Sequence, residues 1–162
     1  YNSVELFKEF DYESVGIIRA ATKFFALPGI RLGYGCASKK KVIELQKSQL
    51  PWSVNALADA AGQHIFNDKK YIEDSKLYIE GERNFLLTEL PKIKGIKVYP
   101  TKTNFILIKL LNWNEEYVFN FFLERGILIK ELEGDHIRAA IKSRENNMKL
   151  LYIFKKLSKG EN

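Results

Sequence analysis

Cysteine is almost absent. Cys36 is the only one in 162 residues, so no intramolecular disulfide can form, and a reducing compartment suits the chain better than secretion. Proline and glycine are sparse, at 4 and 10, which excludes collagen-like and linker-like composition. No apolar run approaches the roughly 18 residues of a membrane span, and no signal peptide is visible. The two histidines, His64 and His136, lie far apart without ligand-type spacing, so no metal is expected. Repeats and low-complexity segments are missing too. So is an initiating methionine: the sequence opens Tyr1-Asn2-Ser3.

What is present is ordinary globular composition, 46% hydrophobic and 13% aromatic. Such a chain can bury a core. Lysine and arginine exceed aspartate and glutamate by 26 to 20, giving +6 and a pI near 9.3. The lysines are spread along the chain, and the densest runs, Lys39-Lys40-Lys41 and Lys155-Lys156 with Lys159, fall at helix ends. Solvated helix faces account for them, so neither nucleic acid nor membrane is expected as a partner. A soluble, cytoplasmic protein fits these features.

Apolar patterning predicts a mixed α/β chain. Residues 14–20 and 31–37 read as short buried strands, with Cys36 packed in the second. Ser38 caps a helix over about 39–49, which Pro51 stops, and a further helix runs from near Asn55 to Phe66. Tyr71/Ile72, Tyr78/Ile79 and Phe85/Leu86 recur at seven-residue spacing, marking one apolar stripe on a long helix that ends near Pro91. From Gly95 the order becomes strand, helix, strand, strand, helix. Ile96 to Tyr99 alternates, and Phe105-Ile106-Leu107-Ile108 reads as a central strand. A helix over about 114–125 is closed by Gly126. Residues 127–131 and 136–142 form two strands joined by Glu133-Gly134-Asp135, and Ser143 caps a last amphipathic helix. Trp52 and Trp113 read as core or interface aromatics.

The chemistry concentrates in Arg19-Ala20-Ala21-Thr22-Lys23-Phe24-Phe25-Ala26-Leu27-Pro28-Gly29-Ile30-Arg31-Leu32-Gly33-Tyr34. A lysine directly after a buried strand, among aromatic neighbours, has its ammonium partly desolvated, the condition that suits a lysine to Schiff-base formation. Arg31 offers a planar fork for a phosphate, and Thr22 adds a hydroxyl. Together they would hold an aldehyde that carries a phosphate.

This string closely resembles the lysine motif of the class I/II pyridoxal-phosphate aminotransferases, in which Ser/Thr-Lys is followed by Pro-Gly-x-Arg-x-Gly-Tyr. The resemblance implies that Lys23 bonds the aldehyde of pyridoxal 5'-phosphate and later moves the proton at the substrate α-carbon. Thr22 and Arg31 would bind the cofactor phosphate. Where the family usually has Ser or Gly at the start of the motif, this chain has Ala20, so one hydroxyl contact is lost. His136-Ile137-Arg138-Ala139-Ala140-Ile141-Lys142, followed by Arg144-Glu145-Asn146-Asn147, resembles the family's arginine strand and final helix. By resemblance Arg138 grips the substrate α-carboxylate. Asn104, in Thr103-Asn104-Phe105, stands as a site neighbour, although a strand-turn cap explains it equally well.

Within the family, Pro51-Trp52-Ser53-Val54-Asn55 and residues 137–142 look most like the threonine-phosphate decarboxylases of cobalamin synthesis. The histidinol-phosphate aminotransferases are the alternative. Both groups carry an arginine for the substrate's phosphate at a position that is Lys130 here, with only seven residues between it and Arg138. The implied fold is that of the fold type I pyridoxal-phosphate transferases. Residues 1–50 would be the end of the large domain, and 51–162 the small α/β C-terminal domain with a long linking helix over about 69–90. The family's upstream Asn-Pro-x-x-Pro-Thr-Gly and Asp-Glu-Ala segments are not found. The chain is therefore expected to be the C-terminal part of a homodimeric enzyme acting on an amino acid, with or without a phosphate, and inactive alone. A folded, non-catalytic interaction domain is the remaining alternative.

Overall fold

The computed structural model describes residues 13–161. The chain divides into two compact units at Lys69/Lys70. In the first unit, β1 (Ile17–Ala20) and β2 (Gly33–Cys36) pair antiparallel, from Ile17 opposite Cys36 to Ala20 opposite Gly33. Helix α1 (Lys39–Ser48) follows, with the Ser38 hydroxyl accepting from Lys41 N. Helix α2 (Ala56–Ile65) is capped by Asn55, whose Oδ1 accepts from Ala58 N at 2.9 Å. Each cap satisfies an amide that the first helical turn leaves unpaired.

The expected burial of these strands is not found. Ile18 is 91% exposed, all four β2 residues including Cys36 are exposed, and α1 buries nothing. The reason is geometric: among the described residues β1 and β2 pair only with each other, and a two-stranded ribbon cannot enclose a core. Trp52, read as a core or interface aromatic, is 95% exposed and sits at φ +63° in the turn between α1 and α2.

The second unit holds the core. Helix α3 (Lys69–Glu89) runs into a single 3-10 turn, Leu90–Lys92, which places Pro91 where its missing N–H costs no helical bond. Strands β3 (Ile96–Val98), β4 (Phe105–Leu110), β5 (Lys130–Leu132) and β6 (His136–Ala140) form an antiparallel sheet in the order β3-β4-β6-β5. Helix α4 (Glu115–Leu123) lies between β4 and β5 in sequence, and α5 (Arg144–Lys159) closes the unit. β4 is central, as its unbroken apolar run predicts. One sheet face buries Ile106, Ile108, Leu110, Ile137 and Ala139 together with Leu86, Leu90, Val118, Phe122, Leu150 and Phe154. Phe122 and Phe154 meet edge to face at 4.7 Å. Each large side chain buried here contributes about 1.5–3 kcal/mol.

Three details differ from the sequence reading. Residues 127–129 are not in a strand: Ile127 N bonds back to Phe122 O, and pairing with β6 starts only at Lys130. The apolar stripe of α3 is buried only in its C-terminal half, because Tyr71, Leu77 and Tyr78 are exposed while Leu86 is fully enclosed. Trp113 packs half-buried against the core and covers Gly95. Gly95 has φ +87°, and a Cβ there would sit 2.5 Å from the Trp113 ring. Gly95→Ala is expected to destabilise this unit by about 2 kcal/mol, from left-handed strain plus overpacking. A urea midpoint lowered at unchanged slope checks it.

Candidate cofactor loop and substrate face

The lysine segment folds as a closed loop on the β1–β2 ribbon. Ala21 is fully buried at its neck, where its amide donates to Leu32 O at 3.0 Å. Inside the loop Phe25 N bonds to Ala21 O, Ala26 N to Lys23 O and Leu27 N to Thr22 O, which winds residues 21–27 into one tight turn. Thr22 and Lys23 leave the neck on one side, and Arg31 returns on the other. The three residues singled out for cofactor binding thus flank the Ala21–Leu32 neck bond, on its two sides.

Lys23 is exposed, which corrects the expected desolvation. The aromatic residues around it pack elsewhere: Phe25 meets Phe66 at 5.7 Å, Tyr34 meets Phe66 at 4.7 Å, and Phe24 lies edge-on to Phe25. None of these ring contacts covers Lys23, which stays exposed. Arg31 has φ +60° and donates from Nη1 to Pro28 O at 3.1 Å. A non-glycine residue in that conformation persists only where its surroundings hold it. Asn55 supplies the hold: while its Oδ1 caps α2, its Nδ2 donates to Ile30 O at 3.1 Å. The sequence marks Asn55 as a helix start and as part of a motif; here it also ties the loop to that helix.

An amine, a hydroxyl and a guanidinium beside one neck would suit an aldehyde that bears a phosphate. Arg31 would exchange its bond to Pro28 O for a charge-assisted one.

The second group of candidates lies on the solvent-facing side of the four-stranded sheet. The hairpin joining β5 to β6 is symmetric about Gly134, so Lys130 is directly opposite Arg138. Their short sequence spacing is what makes them register partners. Both side chains are exposed, Leu107 is opposite Arg138 on β4, and the Arg138 guanidinium lies 5.1 Å from the centre of the Phe105 ring. Two cations facing each other across a ladder repel. An anion between them removes that repulsion.

Asn104 precedes β4, and its carbonyl accepts from Ile141 N at 2.9 Å. Its side chain is not the turn's cap. Thr101 and Thr103 fill that role, with Thr103 N and Phe105 N donating to their hydroxyls. Arg83 of α3 donates to Lys102 O and Thr103 O at 3.4 and 3.3 Å.

The other end of this region carries a buried polar network that sequence reasoning missed. Asn147, 1% exposed, accepts from Lys142 N at 3.0 Å and donates to Lys142 O at 2.9 Å, and so copies the pairing of an extra strand just beyond β6. It also donates to Glu82 Oε2 at 2.8 Å, and Glu82 receives Arg144 Nε and Nη2 at about 3 Å. Arg144 in turn lies over the Phe85 ring at 3.9 Å. The run Ser143-Arg144-Glu145-Asn146-Asn147 was the available signal. Its partner sixty-odd residues upstream could not be read from spacing.

The model of the family described as aminotransferase class I and II matches residues 2–151. The chain belongs to that family. Its members are pyridoxal-phosphate-dependent enzymes. Among its relatives, a protein of Caldanaerobacter subterraneus subsp. tengcongensis, named provisionally as a threonine-phosphate decarboxylase, is 39% identical over 93% of this chain and 42% of its own length. A histidinol-phosphate aminotransferase of Clostridium kluyveri is 32% identical over 93% of this chain and 43% of its own. The crystal structure of the histidinol-phosphate aminotransferase from Clostridium acetobutylicum superposes with a TM-score of 0.87 at 35% identity, covering 97% of this chain and 49% of that one. The fold type I expectation is borne out by this likeness. This chain spans less than half the length of each of these proteins. No helix among the described residues is long and apolar enough to cross a membrane.

Proposed function

We propose that this chain is the C-terminal part of a pyridoxal-phosphate enzyme acting on a phosphorylated amino acid, most like an L-threonine-O-3-phosphate decarboxylase. The observation that carries the reading is the Lys130–Arg138 pair. It places two cations side by side on an open sheet face next to Phe105, an arrangement suited to a ligand with two anionic groups. Residues 1–50 are then the end of the large cofactor-binding domain and 51–162 the small domain with its long linking helix. The whole protein works as a cytoplasmic homodimer, and its product feeds cobalamin synthesis.

Each residue then has a physical task. Thr22 and Arg31 hold the cofactor phosphate, and Lys23 holds its aldehyde carbon and afterwards carries a proton to or from the substrate α-carbon. When bound, the cofactor supplies an electron sink for the bond broken at that carbon. Arg138 holds the α-carboxylate through its planar fork, Lys130 holds the substrate phosphate as a point charge, and Asn104 borders the substrate.

A histidinol-phosphate-type aminotransferase is the second reading, favoured by the likeness to the Clostridium acetobutylicum enzyme. The two differ in which bond at the α-carbon is broken. Full-length protein given O-phosphothreonine is expected to release carbon dioxide without amino transfer. Glutamate formed from an amino donor and 2-oxoglutarate would select the second reading instead. In either case Arg138→Lys keeps the charge and loses the fork, so kcat/KM is expected to fall about 10- to 100-fold. An unchanged kcat/KM would remove Arg138 from the site.

A further inference from the structure

The same sheet face carries a second cationic row that the reading above leaves unused. Lys97 on β3 is directly opposite Lys109 on β4, and Lys109 is directly opposite His136 on β6. Two residues along, Tyr99 stacks on the His136 imidazole at 5.9 Å with 27° between the rings, and its hydroxyl lies 3.4 Å from Nε2. The Lys97 ammonium is 5.5 Å from the centre of the Tyr99 ring. The imidazole also rests near Gly134, where a Cβ would stand 3.6 Å from Nδ1. His136 is thus held in place between an aromatic ring and a bare hairpin glycine.

No carboxylate shares the outward strand positions of this row among the described residues. By register, the outward positions of the sheet are Lys97, Lys109, His136, Arg138, Lys130 and their apolar neighbours, with no carboxylate among them. Among the described residues none of Lys97, Lys109 and His136 forms an ion pair. Glu131 has the opposite parity, opposite Ile137. Asp135 is in the hairpin, with its amide bonded to Glu115. Direct like-charge pairing across a ladder costs stability. A bound anion converts that repulsion into charge-assisted hydrogen bonds.

We propose that Lys97, Lys109, His136 and Tyr99 form an anion site for a phosphate-class dianion, separate from the Lys130–Arg138 pair. The row crosses three strands, about 10 Å, which suits one tetrahedral dianion and is too short for a stripe that tracks a nucleic-acid backbone. It lies two residues along the strands from Arg138, about 7 Å away.

Inorganic phosphate titrated into the 162-residue chain at low ionic strength tests the site, followed by amide and imidazole NMR shifts, with chloride at matched ionic strength as the control. Saturable shifts centred on Lys97, Lys109 and His136 are expected. Affinity should fall about 10-fold in Lys109→Gln and in the more exposed Lys97→Gln, and clearly less in Arg138→Ala, which removes only a charge about 7 Å away. Circular dichroism of each variant separates lost binding from lost fold, and Lys97→Gln decides if Lys109→Gln unfolds. Shifts confined to Lys130 and Arg138, with none at Lys97, Lys109 and His136, or no saturation by about 50 mM phosphate, would overturn the site. Neither outcome touches the role of Arg138, which the kcat/KM measurement tests.

Discussion

Lys23→Ala in the full-length protein is expected to lower turnover by about 10³–10⁴-fold or more, since under the proposed function one side chain would both hold the cofactor's carbon and carry the proton. A structural test accompanies the kinetic one. Borohydride reduction of the protein with pyridoxal phosphate should fix the cofactor to Lys23, as read by peptide mass, and should label nothing in Lys23→Ala. Labelling at another lysine with activity retained would sink the assignment. Lack of both colour and label in the native full-length protein would favour the non-catalytic interaction domain. The loop around Lys23 gives this test its sharpness. Its neck bond from Ala21 to Leu32 and the Asn55 clamp on Ile30 do not involve the amine, so alanine should leave the loop standing.

The second large effect is on stability. Asn147→Ala removes the bonds to Lys142 N, Lys142 O and Glu82 together, and strips a buried carboxylate of one of its two partners. Loss of about 3–5 kcal/mol is expected in denaturant titration. Its neighbour Met148 is 57% exposed, so Met148→Ala should stay within about 0.5 kcal/mol. Because Asn147 splints the chain four residues beyond Arg138, the variant should also loosen the arginine's strand. Equal stability of the two variants would show that the network contributes little.

Much of this fold was legible because its signals are local. Ser38, Asn55 and Ser143 cap helices where the hydroxyl or amide meets an apolar repeat, and Gly126 ends α4 at φ +73°. The two candidate constellations were legible as residue types in a motif. What spacing could not give was cover. An apolar period tells which face of β1, α1 or α3 prefers burial; Ile18, Leu45 and Tyr78 remain exposed because no layer lies over them among the described residues. The same limit misplaced Cys36 and Lys23. Long-range pairing was equally hidden. Residues 127–129, Ile-Leu-Ile, are apolar enough for a strand, but α4 claims Ile127 first. Glu82, an acid in the middle of a long helix, reads as a solvated charge until Arg144 and Asn147 are folded onto it.

Glu82 and Arg83 are consecutive residues, and each holds a different strand. Arg83 grips the turn that launches β4, and Glu82, through Asn147, grips the segment that leaves β6. β4 and β6 are themselves ladder neighbours, with Phe105 opposite Ala140 and Ile141 N on Asn104 O. One helical step of α3, about 1.5 Å and 100° of rotation, therefore sets the phase of two adjacent strands at once. Inserting or deleting a single residue upstream of Ile79 within α3 leaves these grips intact, because the helix is anchored from this end. The same change between Arg83 and Leu86 would pull the strand anchors out of phase with the core. In the language of machine tools, α3 is a gauge block: tolerant in overall length, intolerant at the one edge from which everything else is measured.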